Sequence, residues 1–113
     1  MGFEKLKERW AREREKQIVL AGNMKERLLD RGIPIFKKFG VQKVILFGSV
    51  ANGYCGERSD LDILVLPLPS ERYWDFRYDL EEAVDIPLDI YTESDDPVFI
   101  KKILSRGEVI YEI

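Results

Sequence analysis

Apolar residues recur along this chain with two different periods. From Phe3 to Leu28 they fall at helical intervals, at Phe3, Leu6, Trp10, Ile18, Ala21, Met24 and Leu28, which predicts a helix over residues 3–31. Its middle, Arg12 to Lys16, is charged all round and reads as exposed to water. Gly22-Asn23 would weaken this helix, and Gly32 with Pro34 would end or kink it. A second, short helix is expected from Ile33 to Phe39, closed by Gly40 in a left-handed cap.

Beyond Gly40 the pattern changes to short apolar runs bounded by breakers. Val41–Phe47 and Asp60–Leu66 read as strands, the second stopped by Pro67 and Pro69. A short helix over Val50–Asn52 and a loop over Tyr54–Ser59 are expected between them. Ser70 is expected to cap a helix from Glu71 to Val84. A third strand follows at Leu88–Thr92. Then comes a helix capped by Ser94 or Asp95, with Pro97 in its first turn and Gly107 at its end. Val109–Tyr111 makes a last strand. These elements predict an α+β fold, a small mixed β-sheet packed with helices, behind a long N-terminal helix.

The second strand carries two carboxylates one residue apart. Alternate residues of a strand share a face, so Asp60 and Asp62 point one way and Leu61, Ile63 and Val65 the other. Two like charges on one face repel unless a cation lies between them, and oxygen-only ligands suit Mg²⁺ or Mn²⁺. Just past the first strand, Gly48-Ser49 offers an uncrowded backbone N–H and a hydroxyl, groups that hold phosphate. A phosphate cradle beside a metal-binding carboxylate pair is apparatus for phosphoryl or nucleotidyl transfer.

Gly48-Ser49, ten intervening residues and Asp60-Leu61-Asp62 resemble the signature of the DNA polymerase beta nucleotidyltransferase superfamily. From about Phe36 to the C-terminus the chain resembles the smallest members, the minimal nucleotidyltransferases (MNT). Many of those are antitoxins paired with a HEPN-domain protein. The chain is thus expected to be one domain, with a helical extension over 1–32 and a catalytic core over 33–113.

Asp89, inside Pro-Leu-Asp-Ile-Tyr-Thr, is the candidate third carboxylate. Asp is disfavoured in strands, and the family pattern places an acidic residue in such a strand. Asp85 is the alternative, at a helix-to-turn junction. The resemblance implies that Asp60 and Asp62 bridge two Mg²⁺ ions and that Asp89 completes one ion and accepts the acceptor's proton. It also implies that Gly48 and Ser49 grip the β- and γ-phosphates of ATP. AMP would pass to a protein or small acceptor, a HEPN partner in the related pairs.

Relatives often carry arginines directly after the Gly-Ser pair and two residues on. Here those positions are Val50 and Asn52, leaving Arg58 or Lys43 as substitutes. The competing reading is a binding module that retains the fold and neutralises a partner by contact. A subunit of an aminoglycoside-type resistance enzyme is disfavoured, because no drug-binding domain is present. Cys55 reads as an incidental thiol and Tyr54 as loop packing.

Composition narrows the chemistry further. Without histidine, a His general base, a His triad or a His-ligated zinc site is excluded. One cysteine precludes an internal disulfide, and no segment resembles a signal peptide or membrane span, so a cytoplasmic location is expected. Residues 1–40 hold 11 Lys/Arg against 6 Asp/Glu, and residues 41–113 hold 7 against 15. The acidic balance argues against a dedicated nucleic-acid binder. An unbroken N-terminal helix would span about 40 Å, more than this domain can cover. Its far end would then meet a second copy of the chain or another protein, unless it folds back at Gly22.

Overall fold

The computed structural model describes residues 2–51, 53 and 60–113, apart from the side chains of Phe3 and Ser49. Helix α1 (Gly2–Lys38) leads into strand β1 (Lys43–Phe47) and a single helical turn, α2 (Gly48–Ala51). Strand β2 (Leu61–Leu66), helix α3 (Tyr73–Val84), strand β3 (Leu88–Tyr91), helix α4 (Pro97–Arg106) and strand β4 (Glu108–Glu112) follow. The sheet order is β3-β2-β1-β4. β1 is antiparallel to both β2 and β4, while β2 and β3 run parallel, so the sheet is mixed.

Helix α1 does not stop at Gly32 or bend at Gly22. Proline costs α1 one backbone hydrogen bond at Pro34. The helix continues because Leu28 and Phe36, on either side, are wholly buried in the main core. Gly32 is a packing contact and not a terminator. A Cβ there would lie 3.1 Å from Phe36 Cζ and 3.3 Å from Leu80 Cδ1, so its absence lets α3 approach. Gly40 closes the segment at φ +71°, as a glycine at that position predicts.

Two helix starts differ from expectation. Ser70 opens a 3₁₀ turn over Ser70–Arg72 and caps nothing, and α3 begins only at Tyr73. Asp95 is occupied in closing a turn, where its carboxylate accepts from the Thr92 N–H. Asp96 therefore caps α4, accepting from the Val98 N–H at 2.9 Å.

The sheet separates two apolar layers. One face carries Leu61, Ile63, Val65, Leu88 and Ile90 against α1 and α3, where Leu28, Phe36, Phe76, Leu80 and Val84 fill the main core. The other carries Ile45 and Leu64 under Ile103 of α4, with Phe47, Leu66 and Tyr91 around them. Strand alternation puts Asp62 and Asp89 on this second face.

The first five turns of α1 stand apart. Ala21 is the first buried residue of α1 among those described, whereas Leu6 and Trp10 are exposed. At 1.5 Å per residue the 37 residues span about 55 Å. Among the described residues no helix is long and apolar enough to cross a membrane.

Candidate active site

The site lies at the end of the sheet where β1 leaves and β2 enters. Asp62 faces Phe47 of β1 on one side and Asp89 of β3 on the other. Gly48 follows Phe47 directly and has φ +80°, a conformation that favours glycine. A Cβ at Gly48 would overlap the Asp62 carboxylate and sit 3.2 Å from its Cγ. The missing side chain is what lets backbone and carboxylate approach.

Asp62 is half-buried, whereas Asp60 and Asp89 are exposed. The Asp62 pKa is pushed up to about 6. Desolvation is the first cause, followed by a hydrogen bond to Asp89 and by the charges of Asp89 and then Asp60. Asp62 thus gives up its proton about two pH units later than an ordinary aspartate, because ionising it sets a charge in a partly desolvated place beside Asp89. Tyr91, two residues on from Asp89, senses the same field. Its phenol is raised by burial and then by the charges of Asp89 and Asp62.

Asp89 also lines a cleft with Asp60, Arg77 and Glu81. Asp85, the alternative to Asp89, lies on this cleft too, but as the left-handed C-cap of α3 at φ 55°, away from the strand pairing. β3 is an edge strand. Its carbonyls on either side of Asp89 are met by α3: Arg77 Nη2 donates to Leu88 O and Tyr73 Oη to Ile90 O, each at 3.4 Å. Arg77 is held in turn by Glu81 at 2.9 Å and by Tyr73 Oη at 3.0 Å.

The donor set suits a hard divalent cation in part. Asp62 and Asp89 are a ready pair of oxygen donors whose mutual repulsion a cation would relieve. Among the described residues, however, no three acidic side chains are arranged to hold an ion as they stand. Asp60 acts on Asp62 through its charge without completing a trio. The Ser49 hydroxyl, Asn52, Tyr54, Cys55, Gly56 and Arg58 lie outside the described residues.

The fold agrees with relationships to known proteins. Residues 32–113 match the model of the polymerase beta nucleotidyltransferase family. The chain belongs to that family. Its members are nucleotidyltransferases, and this chain is one. A Methanocaldococcus jannaschii protein named "Putative protein adenylyltransferase MJ0435" is 36% identical over 79 residues, which cover 66% of this chain and 85% of that one. A solved structure described as "putative minimal nucleotidyltransferase" is 26% identical with a TM-score of 0.59, covering 80% of this chain and 92% of that one. A chain from the complex of tri-AMPylated Shewanella oneidensis HEPN toxin with MNT antitoxin shares the fold. Its TM-score is 0.59 at 20% identity, with 79% of this chain and 73% of that one covered.

Several features of the site do not stand out in the sequence. Tyr91 shares the face of Asp89 by simple alternation, and that spacing is the available signal. The anchoring of β3 by Arg77 and Tyr73 depends on α3 lying along the sheet edge, which residue spacing does not encode.

Proposed function

We propose that this chain transfers AMP from ATP to a protein acceptor, as the antitoxin of a HEPN/MNT pair in the cytoplasm. The observation that carries the reading is the Asp62–Asp89 pair across parallel strands, beside a glycine whose lack of a side chain makes room for Asp62. The adenylyltransferase name of the M. jannaschii relative and the AMPylated HEPN toxin of the S. oneidensis complex favour AMP and a HEPN protein. Residues 33–113 are read as the catalytic core of one domain and 1–32 as its helical extension.

In this mechanism Asp60, Asp62 and Asp89 are the cation ligands. A bound Mg²⁺ or Mn²⁺ ion would supply charge neutralisation at the phosphates and at the departing pyrophosphate. Asp62 serves as a ligand in its ionised form, which prevails above about pH 6. Asp89, exposed beside the cleft, accepts the proton of the acceptor hydroxyl. The acceptor oxygen bonds to the α-phosphorus as the bond to the pyrophosphate oxygen breaks. Gly48 and Ser49 seat the phosphates, Gly48 by exposing its backbone at the turn.

The test is transfer of α-³²P label from ATP to a co-expressed HEPN partner. Wild type should label it, while Asp60→Asn and Asp89→Asn should each lower the rate by at least about a hundredfold. Labelling that persists in both variants would overturn the roles of these carboxylates.

One observation favours a second activity in the same molecule. The exposed Leu6 and Trp10 lie on a stretch of α1 that has no buried residue among those described, which suits contact with a partner protein or a second copy. Neutralisation of the partner by Asp60→Asn, without labelling, would establish the binding-module reading.

A further inference from the structure

A nucleoside triphosphate approaching Asp60, Asp62 and Asp89 is an anion approaching anions, and the protein must offset that repulsion. Val50 cannot do so. It is 4% exposed and part of the main core, so its position is one that α1 and the sheet have taken for packing.

The same face of the sheet carries a cavity of about 360 Å³ between the Gly48 turn and α4. Phe47 and Phe99 wall it, and Lys102 and Arg106 stand over it. Phe99 is fixed there by ring contacts to Phe47 at 5.9 Å and Tyr91 at 5.2 Å. Lys102 and Arg106 are four residues apart on one helix, so they share a face. Both are exposed, and among the described residues neither forms an ion pair, whereas Lys43 pairs with Glu112 and Arg77 with Glu81. In residues 41–113, where 15 acidic residues outnumber 7 basic ones, two unpaired cations beside the glycine turn are not explained by folding.

We propose that Lys102 and Arg106 grip the polyphosphate of the nucleoside triphosphate, with the phosphates lying between α4 and the backbone at Gly48. This rests on the nucleotidyl-transfer reading and assigns the cations for it. Apolar walls lower the local polarity and strengthen the contact. Charge-assisted bonds from two side chains hold a phosphate more firmly than neutral donors do.

The experiment is calorimetric titration of the full chain with ATP and with AMP in the presence of Mg²⁺. Lys102→Ala and Arg106→Ala should each weaken ATP binding about tenfold, and AMP binding should change less than threefold. Lys101→Ala, one position off that face, should match wild type. The charge-conserving pair Lys102→Arg with Arg106→Lys should retain most of the affinity, and it answers for any alanine variant that melts early. Unchanged ATP affinity in both alanine variants overturns the grip and leaves the transfer reading standing. Equal losses for ATP and AMP place the cations on the nucleoside and also overturn it. A wild-type chain that binds neither nucleotide overturns both readings.

Discussion

Asp62 and Asp89 stand opposite each other on the parallel strands β2 and β3, so that one carboxyl group, when protonated, can donate to the other. The pairing sets a partly desolvated acid against an exposed one, and Asp62 bears the cost. Its folded pKa of about 6 exceeds its ordinary 3.8. A raised acid stabilises the fold while protonated. That contribution is complete below about pH 3.8 and is lost as pH rises through about 6.

Asp62→Asn should therefore melt higher than wild type at pH 8 without divalent metal. The gain should shrink toward pH 4. Asp62 is partly exposed, so solvent screening reduces the effect to about 4 °C. Thermal melts from pH 4 to 8 in chelator would show it, and a gain independent of pH would contradict this origin.

Near and below pH 6 a divalent cation must compete with the Asp62 proton. Mn²⁺ affinity should accordingly be flat above about pH 7 and fall roughly tenfold per pH unit below about 6. Titration of Mn²⁺ followed by its paramagnetic effect on water relaxation would measure this. The slope should disappear in Asp62→Asn, along with most of the affinity.

Gly48→Ala places a side chain at φ +80° and into the Asp62 carboxylate. A loss of about 1–3 kcal/mol is expected in urea unfolding. AMP transfer should fall further than stability alone explains, because Asp62 must shift. Gly22→Ala, where a Cβ meets nothing within 4 Å, should leave both unchanged or slightly improved.

Arg77 and Tyr73 hold the open edge of β3 on both sides of Asp89. Tyr73→Phe should cost about 1–3 kcal/mol, the ordinary worth of two hydrogen bonds, since Tyr73 Oη donates to Ile90 O and accepts from Arg77. Arg77→Ala should cost more, since Glu81 loses its partner as well. In both variants kcat for transfer should drop while ATP affinity stays near wild type, a pattern that separates Asp89 positioning from nucleotide binding.

The two halves of α1 should behave differently. Residues 4–14 are all exposed, so removing residues 2–14 should move Tm by less than about 2 °C. Leu28→Ala, at a wholly buried position in the other half, should cost about 2–5 kcal/mol. Loss of partner binding in the truncated chain would assign Leu6 and Trp10 their role.

Much of this architecture is legible in the residues. The strands announce themselves as apolar runs between glycines and prolines, and alternation places Asp62 and Asp89 on faces that the pairing then aligns. Helix ends are harder. Gly32 and Pro34 have the chemistry of a terminator, but Leu28, Phe36 and Leu80 hold the helix together through tertiary packing that no local signal carries. Ser70 and Asp95 both have the chemistry of caps. The chain enters α3 through a 3₁₀ turn, and Asp95 is engaged with Thr92, so neither position is available. The sequence also predicts convergence of all three carboxylates. The structure brings Asp62 and Asp89 into contact but leaves Asp60 just ahead of β2, because only the first two are pinned by cross-strand register.

Helix α4 is clamped from below. A Cβ at Gly107 would come within 3.2 Å of Leu46 O and would strike Ile45, and Ile103 is buried beside them. Its upper surface has no such obligation to the fold. Exchanges at its outward positions can therefore alter that surface without unsettling the scaffold, making this helix the natural place for diversification or redesign.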